Sequence, residues 1–158
     1  FDSNPMRCDE MAMFHAAHGN LGTVAALALP SLSAGTAALR NMLLPSGEKA
    51  NLEAKFMVVS PLYELTALGL LKDYGADSIQ IIVAPWIEST NWYLVSDPLI
   101  APTVSLLYLK GSSRGVVVGK PRLPDDQRSR DGISIGLRFD VGAVPVVRVG
   151  IYKGRLRR

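Results

Sequence analysis

The stretch from Phe56 to Leu109 constrains this chain most. It opens on an apolar run, Phe56 to Val59, and breaks at Ser60-Pro61 into a leucine-rich segment, Leu62 to Lys72. Apolar runs return at Ile79 to Val83, around Trp92-Tyr93-Leu94-Val95, and from Val104 to Leu109. Short apolar runs bounded by Pro, Gly, Asn and Asp predict strands, and the leucine-rich segment predicts a helix. Strand, helix and three further strands in close succession predict a compact α/β unit with its own core.

Within that unit the helix carries its own punctuation. Ser60 is placed to cap, Pro61 is pre-organised for the first helical position, and Glu64 sits near the positive end of the dipole. Leu62, Leu65, Leu68 and Leu71 predict a core-facing spine, and Gly75 supplies the stop.

The flanks are less regular. Asn4-Pro5 favours a turn, Met11, Phe14 and Ala17 or His18 fall at helical spacing, and Gly19-Asn20 supplies a left-handed stop. Leu21 to Leu44 predicts an approach segment and then a helix from Ser31 or Ser33 to Leu43, with serine as N-cap and Leu32, Leu39, Met42 and Leu43 as its apolar stripe. Ala34, Ala37 and Ala38 leave room for another element to approach. Glu48 to Lys55 predicts a polar connector. Gly111 to Arg130 predicts a hairpin or exposed excursion around the island Val116-Val117-Val118. Ile133, Ile135, Leu137 and Phe139 then alternate at period two, and Val141 to Tyr152 continues as strand. Pro145 predicts an edge or a bulge. Lys153 to Arg158 predicts a basic tail.

The totals exclude several classes. With 48% hydrophobic and 20% charged residues over 158 positions, the chain is globular, not disordered, and sized for one ordinary domain or two small ones. No run of about eighteen apolar residues is present, so no membrane span is predicted. Leu21 to Leu29 ends at Pro30 and has no positively charged start, unlike a signal peptide. Cys8 is the single cysteine, which excludes an internal disulfide framework and suits a reducing compartment.

Chemistry-bearing groups are sparse. His15 and His18, with Cys8 and Asp9 upstream, fall short of the four ligands of a zinc site, and a polar helix end accounts for them. A hydrolase built on His15 or His18 lacks a G-x-S-x-G elbow, and Ser60, the nearest approach to one, is explained as a cap. No phosphate-binding glycine loop occurs, so no cofactor is expected. Glu88 and Asp97 flank the Trp92 strand as ordinary turn acids. Arg114, Lys120, Arg122, Arg128, Arg130, Arg155, Arg157 and Arg158 are candidate contacts to a neighbouring subunit or to nucleic acid. Aromatic interleaving for strand stacking is missing among them, and a net charge of +3 does not by itself mark a nucleic-acid binder. Trp86, Trp92 and Tyr93 predict core or interface aromatics.

The ordered series is the most telling feature. It runs His18-Gly19-Asn20-Leu21, an Ala-rich helix with Arg40 and Met42, Lys55 to Pro61, a leucine helix, and Trp92 to Pro98, then Tyr108-Leu109-Lys110-Gly111 and a closing Gly150-Ile151-Tyr152-Lys153. This series resembles the major capsid proteins of tailed bacteriophages, and most of all the Mu-like head-subunit branch, often encoded as a fusion with a ClpP-like prohead protease. The likeness covers nearly all of the chain.

The resemblance implies an α+β architecture of the Hong Kong phage capsid type, with an axial domain at 56–123 and a peripheral domain at 1–55 and 124–158. It implies a structural head-shell subunit that associates with itself as hexamers and pentamers, is made in the bacterial cytoplasm and ends in the virion. Phage genomic DNA would be a partner on the inner surface, and no catalytic, cofactor or metal residue and no small-molecule substrate or membrane is implied. There is no room before the Ser31–Leu43 helix for the arm and extended hairpin of that family, so the resemblance further implies a C-terminal fragment. The Val146 to Gly150 ending departs from the branch and leaves the last strand's register open. The alternatives are a basic nucleic-acid-binding module and, behind it, the hydrolase.

Overall fold

The computed structural model describes residues 4, 11–44, 46–76, 78–108, 116–120 and 135–156. In chain order the regular elements are β1 (Leu21–Val24), α1 (Leu29–Asn41), β2 (Ala54–Val59), α2 (Glu64–Asp73), β3 (Gln80–Val83), β4 (Asn91–Ser96), β5 (Val104–Tyr108), β6 (Val116–Val118), β7 (Leu137–Phe139), β8 (Val141–Pro145) and β9 (Ile151–Arg155). Short 3-10 turns at Ala16–His18 and Pro61–Tyr63 complete the set. Contacts divide the chain into two compact units, Phe1–Thr103 with Pro145–Arg158, and Val104–Val144.

The first unit is built on a mixed five-stranded sheet in the order β1-β9-β4-β2-β3. Its outer pairs, β1–β9 and β2–β3, are parallel, and its inner pairs, β9–β4 and β4–β2, are antiparallel. Alternation along the strands gives the sheet two unlike faces. In register, Met57 lies opposite Leu94 and Ile81, and Leu94 opposite Tyr152. These side chains, with Val59 and Trp92, form the core face, where Leu32 and Leu39 of α1 and Ala67 and Leu71 of α2 pack. Burying a leucine of this kind stabilises the fold by about 1.5–3 kcal/mol.

On the other face Tyr93 lies opposite Lys153, and Phe14 folds across them with its ring 5.6 Å from that of Tyr93. The Lys153 ammonium stands 5.6 Å from both ring centroids, so the electron-rich ring faces help to hold its charge. Asn20 ties this cover down. Its buried side chain donates to the Met13 carbonyl at 2.7 Å and accepts from the His15 N–H, and its own carbonyl accepts from Lys153 N–H. Gly19, at φ 66°, makes the left-handed turn expected of it.

Several expectations are corrected by this arrangement. The helical spacing of Met11 to His18 yields only the three-residue 3-10 turn, because Asn4 brackets Phe14 through both its backbone groups and holds that stretch away from helix. Residues 21–24, read as an approach segment, pair with the end of the chain as β1. α1 begins at Leu29, earlier than expected, since proline is tolerated in a first turn that needs no N–H partner. Its cap residue is Ala28, and Ser31 serves from inside the helix, its Oγ accepting the Ala28 N–H at 3.0 Å. Leu43 is exposed, beyond the helix end.

The closest approach of α1 to the sheet falls on Gly35, with Ala38, alone of the three alanines, also packed against the core. A methyl group there would stand 2.9 Å from Leu94 Cδ1 and 3.0 Å from Tyr152 Cε1. The larger correction concerns α2. Its buried stripe is Ala67 and Leu71, flanked by the half-buried Tyr63 and Leu70 at proper helical spacing. Of the expected leucine spine only Leu71 is buried; Leu62, Leu65 and Leu68 face outward.

The end of the chain is also not a tail as far as Leu156. β9 lies inside the sheet between β1 and β4, with Lys153 and Leu156 buried. Strands β4 and β9 pair at five positions, from Asn91 with Arg155 to Val95 with Ile151. The second unit consists, among the described residues, of two-stranded ladders, β5 with β8 and β6 with β7. Strand β7 does not join the larger sheet, and Pro145 closes β8 in a ladder where every strand is an edge.

Candidate subunit interface

Among the described residues no group of three or more His, Cys, Asp or Glu side chains converges as a metal site, and no helix is long and apolar enough to cross a membrane. The His15 and His18 rings are 5.8 Å apart, and each has a local backbone contact. His15 Nδ1 accepts the Ala17 N–H, capping the 3-10 turn, and His18 Nδ1 lies 3.4 Å from the Met13 carbonyl. The cavity beside His18, about 260 Å³, is lined by Arg148 and apolar or amide side chains and by no carboxylate. Cys8 and Asp9 lie outside the described residues.

Ser60 precedes the 3-10 turn as expected, but its side chain makes no capping bond. The hydroxyl is buried without a hydrogen-bond partner among the described residues, and the Tyr63 N–H bonds to the Ser60 carbonyl instead. Glu88 and Asp97 sit at opposite ends of the six-residue β4, roughly 20 Å apart along an extended chain. Glu88 accepts from Asn91 Nδ2, and Asp97 Oδ1 accepts from the Leu99 N–H, so both act as turn acids.

Of the basic candidates, Lys120 and Arg155 are described. Lys120 is exposed beside Gly119 in the second unit, and Arg155 closes β9 in the first. The Arg155 carbonyl accepts the Ala25 N–H, so its backbone belongs to the sheet while its side chain is exposed. Arg114, Arg122, Arg128, Arg130, Arg157 and Arg158 lie outside the described residues.

The distinctive surface is apolar. Leu62 in the 3-10 turn and Leu65 and Leu68 on α2 are 71%, 82% and 49% exposed and follow one another at i, i+3 spacing as a ridge. In the second unit, register puts Val116 opposite Phe139 and Val118 opposite Leu137, so these four share one face of the β6–β7 ladder. They are 39–73% exposed. The reverse face carries Val117 and Arg138, the latter paired with Asp140 at 2.8 Å. Leu106, Leu107 and Tyr108 of β5, and Trp86, Leu99 and Ile100 in loops of the first unit, are exposed as well. Trp92 and Tyr93 are core as expected, whereas Trp86 faces outward.

The leucine ridge and the β6–β7 face are each an uncovered apolar patch, and a two-stranded ladder by itself is marginal in water. Both features suit a chain that finishes its packing against other molecules. Sequence reading missed Leu62, Leu65 and Leu68 as surface, since it assigned the leucine ridge to the core.

Comparison with known proteins agrees. No curated protein and no solved structure gives a significant match, but the family model described as phage capsid protein matches residues 9–154. That span reaches into both units, takes in α2 and the β6–β7 ladder, and carries with it a structural role in the bacteriophage virion: the chain belongs to the phage capsid protein family.

Proposed function

We propose that this chain is a major head subunit that associates with itself into hexamers and pentamers and forms the shell of a phage or prophage. The observation that carries the reading is the pair of uncovered apolar faces, the α2 leucine ridge and the β6–β7 face, on a chain of the capsid family. A surface meant for solvent would have placed charged residues there.

The finer points of the reading follow from the ordered motifs. They favour the Mu-like branch and the Hong Kong phage capsid fold, with 56–123 as its axial part, 1–55 and 124–158 as its peripheral part, and the β4–β9 pairing as the seam between them. The shell would be assembled in the bacterial cytoplasm, with phage DNA against its inner surface. Arg114, Lys120, Arg122, Arg128, Arg130, Arg155, Arg157 and Arg158 are proposed contacts to neighbouring subunits or to that DNA.

The test is assembly. The protein, co-expressed with a scaffolding protein or prohead protease, is expected to yield closed particles by electron microscopy and sedimentation. A protein that stays monomeric at high concentration and forms no shells under those conditions would overturn the reading.

A further inference from the structure

The two uncovered apolar faces differ in kind. One is a helix ridge, Leu62 of the 3-10 turn with Leu65 and Leu68 of α2; the other is a sheet face, Val116, Val118, Leu137 and Phe139 of the β6–β7 ladder. We propose that the β6–β7 face of one copy packs on the α2 leucine ridge of the next, so that subunits join head to tail. This rests on the shell-subunit reading and names the contact within it.

Three physical arguments select a second copy of this chain as the occupant. The first is complementarity of form. A two-stranded ladder lacks the further strand or helix that makes a sheet stable, and a helix with an apolar ridge is what a sheet face ordinarily packs against. Each copy carries one of each.

The second is symmetry. A face that meets a different face gives a heterologous contact, which closes into a ring when the rotation allows, whereas a face that meets itself gives a two-fold dimer. Unlike faces on one chain therefore point to rings.

The third is area. Each face offers only three or four large exposed apolar side chains, so a single contact falls short of the ~1,200 Å² at the low end for a stable stand-alone pair. In a closed ring every copy makes the contact twice, once with each face. A chain so built is expected to be weak as a dimer and stable as a closed ring.

The experiment uses the protein with Cys8 replaced by serine. Two differently tagged forms, Leu65→Cys and Leu137→Cys, are co-expressed, and assembled particles are treated with a short bismaleimide. Packed layers sit about 10 Å apart, too far for a disulfide. The expected product is the mixed dimer of the two tagged forms, and a chain carrying both cysteines is expected to give a ladder of bands ending at the ring. Dimers of one form with itself, cross-links confined within single chains, or no product would overturn the proposal.

Charge insertion provides a second reading. Leu65→Glu and Phe139→Glu are each expected to lower the assembled fraction at least tenfold while the melting of the separate chain is unchanged. Normal particles from either variant would overturn the proposal and leave the shell reading intact. Should the unsubstituted protein form no particles, the shell reading falls, and the same mixed cross-link in concentrated solution decides the contact by itself.

Discussion

Gly154 lies directly beneath the indole of Trp92 where β4 and β9 pair. The two are register partners, and a methyl group added at Gly154 would overlap the Nε1 side of the ring. The indole cannot yield easily. Trp92 is buried, its ring stands 5.8 Å from that of Tyr152, and it belongs to the core that α1 covers. Gly154→Ala is therefore expected to destabilise the protein by about 2–3 kcal/mol through overpacking, read from the denaturant midpoint. An unchanged midpoint would mean that the sheet can part at β9 without cost.

Gly69 makes the opposite prediction. It lies within α2, is exposed, and has nothing within 4 Å of where a Cβ would be. Gly69→Ala should stabilise the separate chain by about 0.5–1 kcal/mol, because alanine loses less backbone entropy in a helix. Together the two variants distinguish a glycine needed for packing from one that the helix merely tolerates.

The Ser60 hydroxyl is a third test. Buried without a hydrogen bond among the described residues, it has lost its water and gained no partner. Ser60→Ala should leave thermal stability unchanged or raise it by up to about 1 kcal/mol. A clear loss of stability would show a partner for that oxygen and restore part of the capping role the sequence suggests.

These variants also show which parts of the fold can be read from the sequence. The strands at Phe56 to Val59, Ile79 to Val83 and Trp92 to Val95 declare themselves through local apolar runs, and Gly19 and Gly75 through left-handed stops that the backbone adopts at φ 66° and 62°. What is hidden depends on distant partners. Lys153 reads as the start of a basic tail because the rings that receive it, Phe14 and Tyr93, are far away in sequence. The leucine spine of α2 misleads for a related reason. Periodicity says which residues share a face but not which face meets the sheet, and there the small Ala67 decides, since it lets the helix lie close. The candidate interface was thus written in the sequence with its orientation reversed.

Tyr152 provides the pH dependence. Its ring is in the core with Trp92 and beside Gly35, and burial raises the hydroxyl pKa above its ordinary value of 10.0 because the charged phenolate loses its hydration. The unfolded chain releases this proton near 10.0, whereas the folded chain holds it to higher pH. Between those two values the unfolded state binds fewer protons, so stability falls as pH rises. The contribution is whole below pH 10 and is lost as pH climbs through the folded value. Tyr152→Phe removes the ionisation and keeps the ring. It should flatten the decline in denaturant midpoint above pH 10 while leaving the neutral-pH midpoint within about 1 kcal/mol of the parent. An equally steep alkaline decline in the variant would assign that dependence to other groups and place the Tyr152 hydroxyl in contact with water.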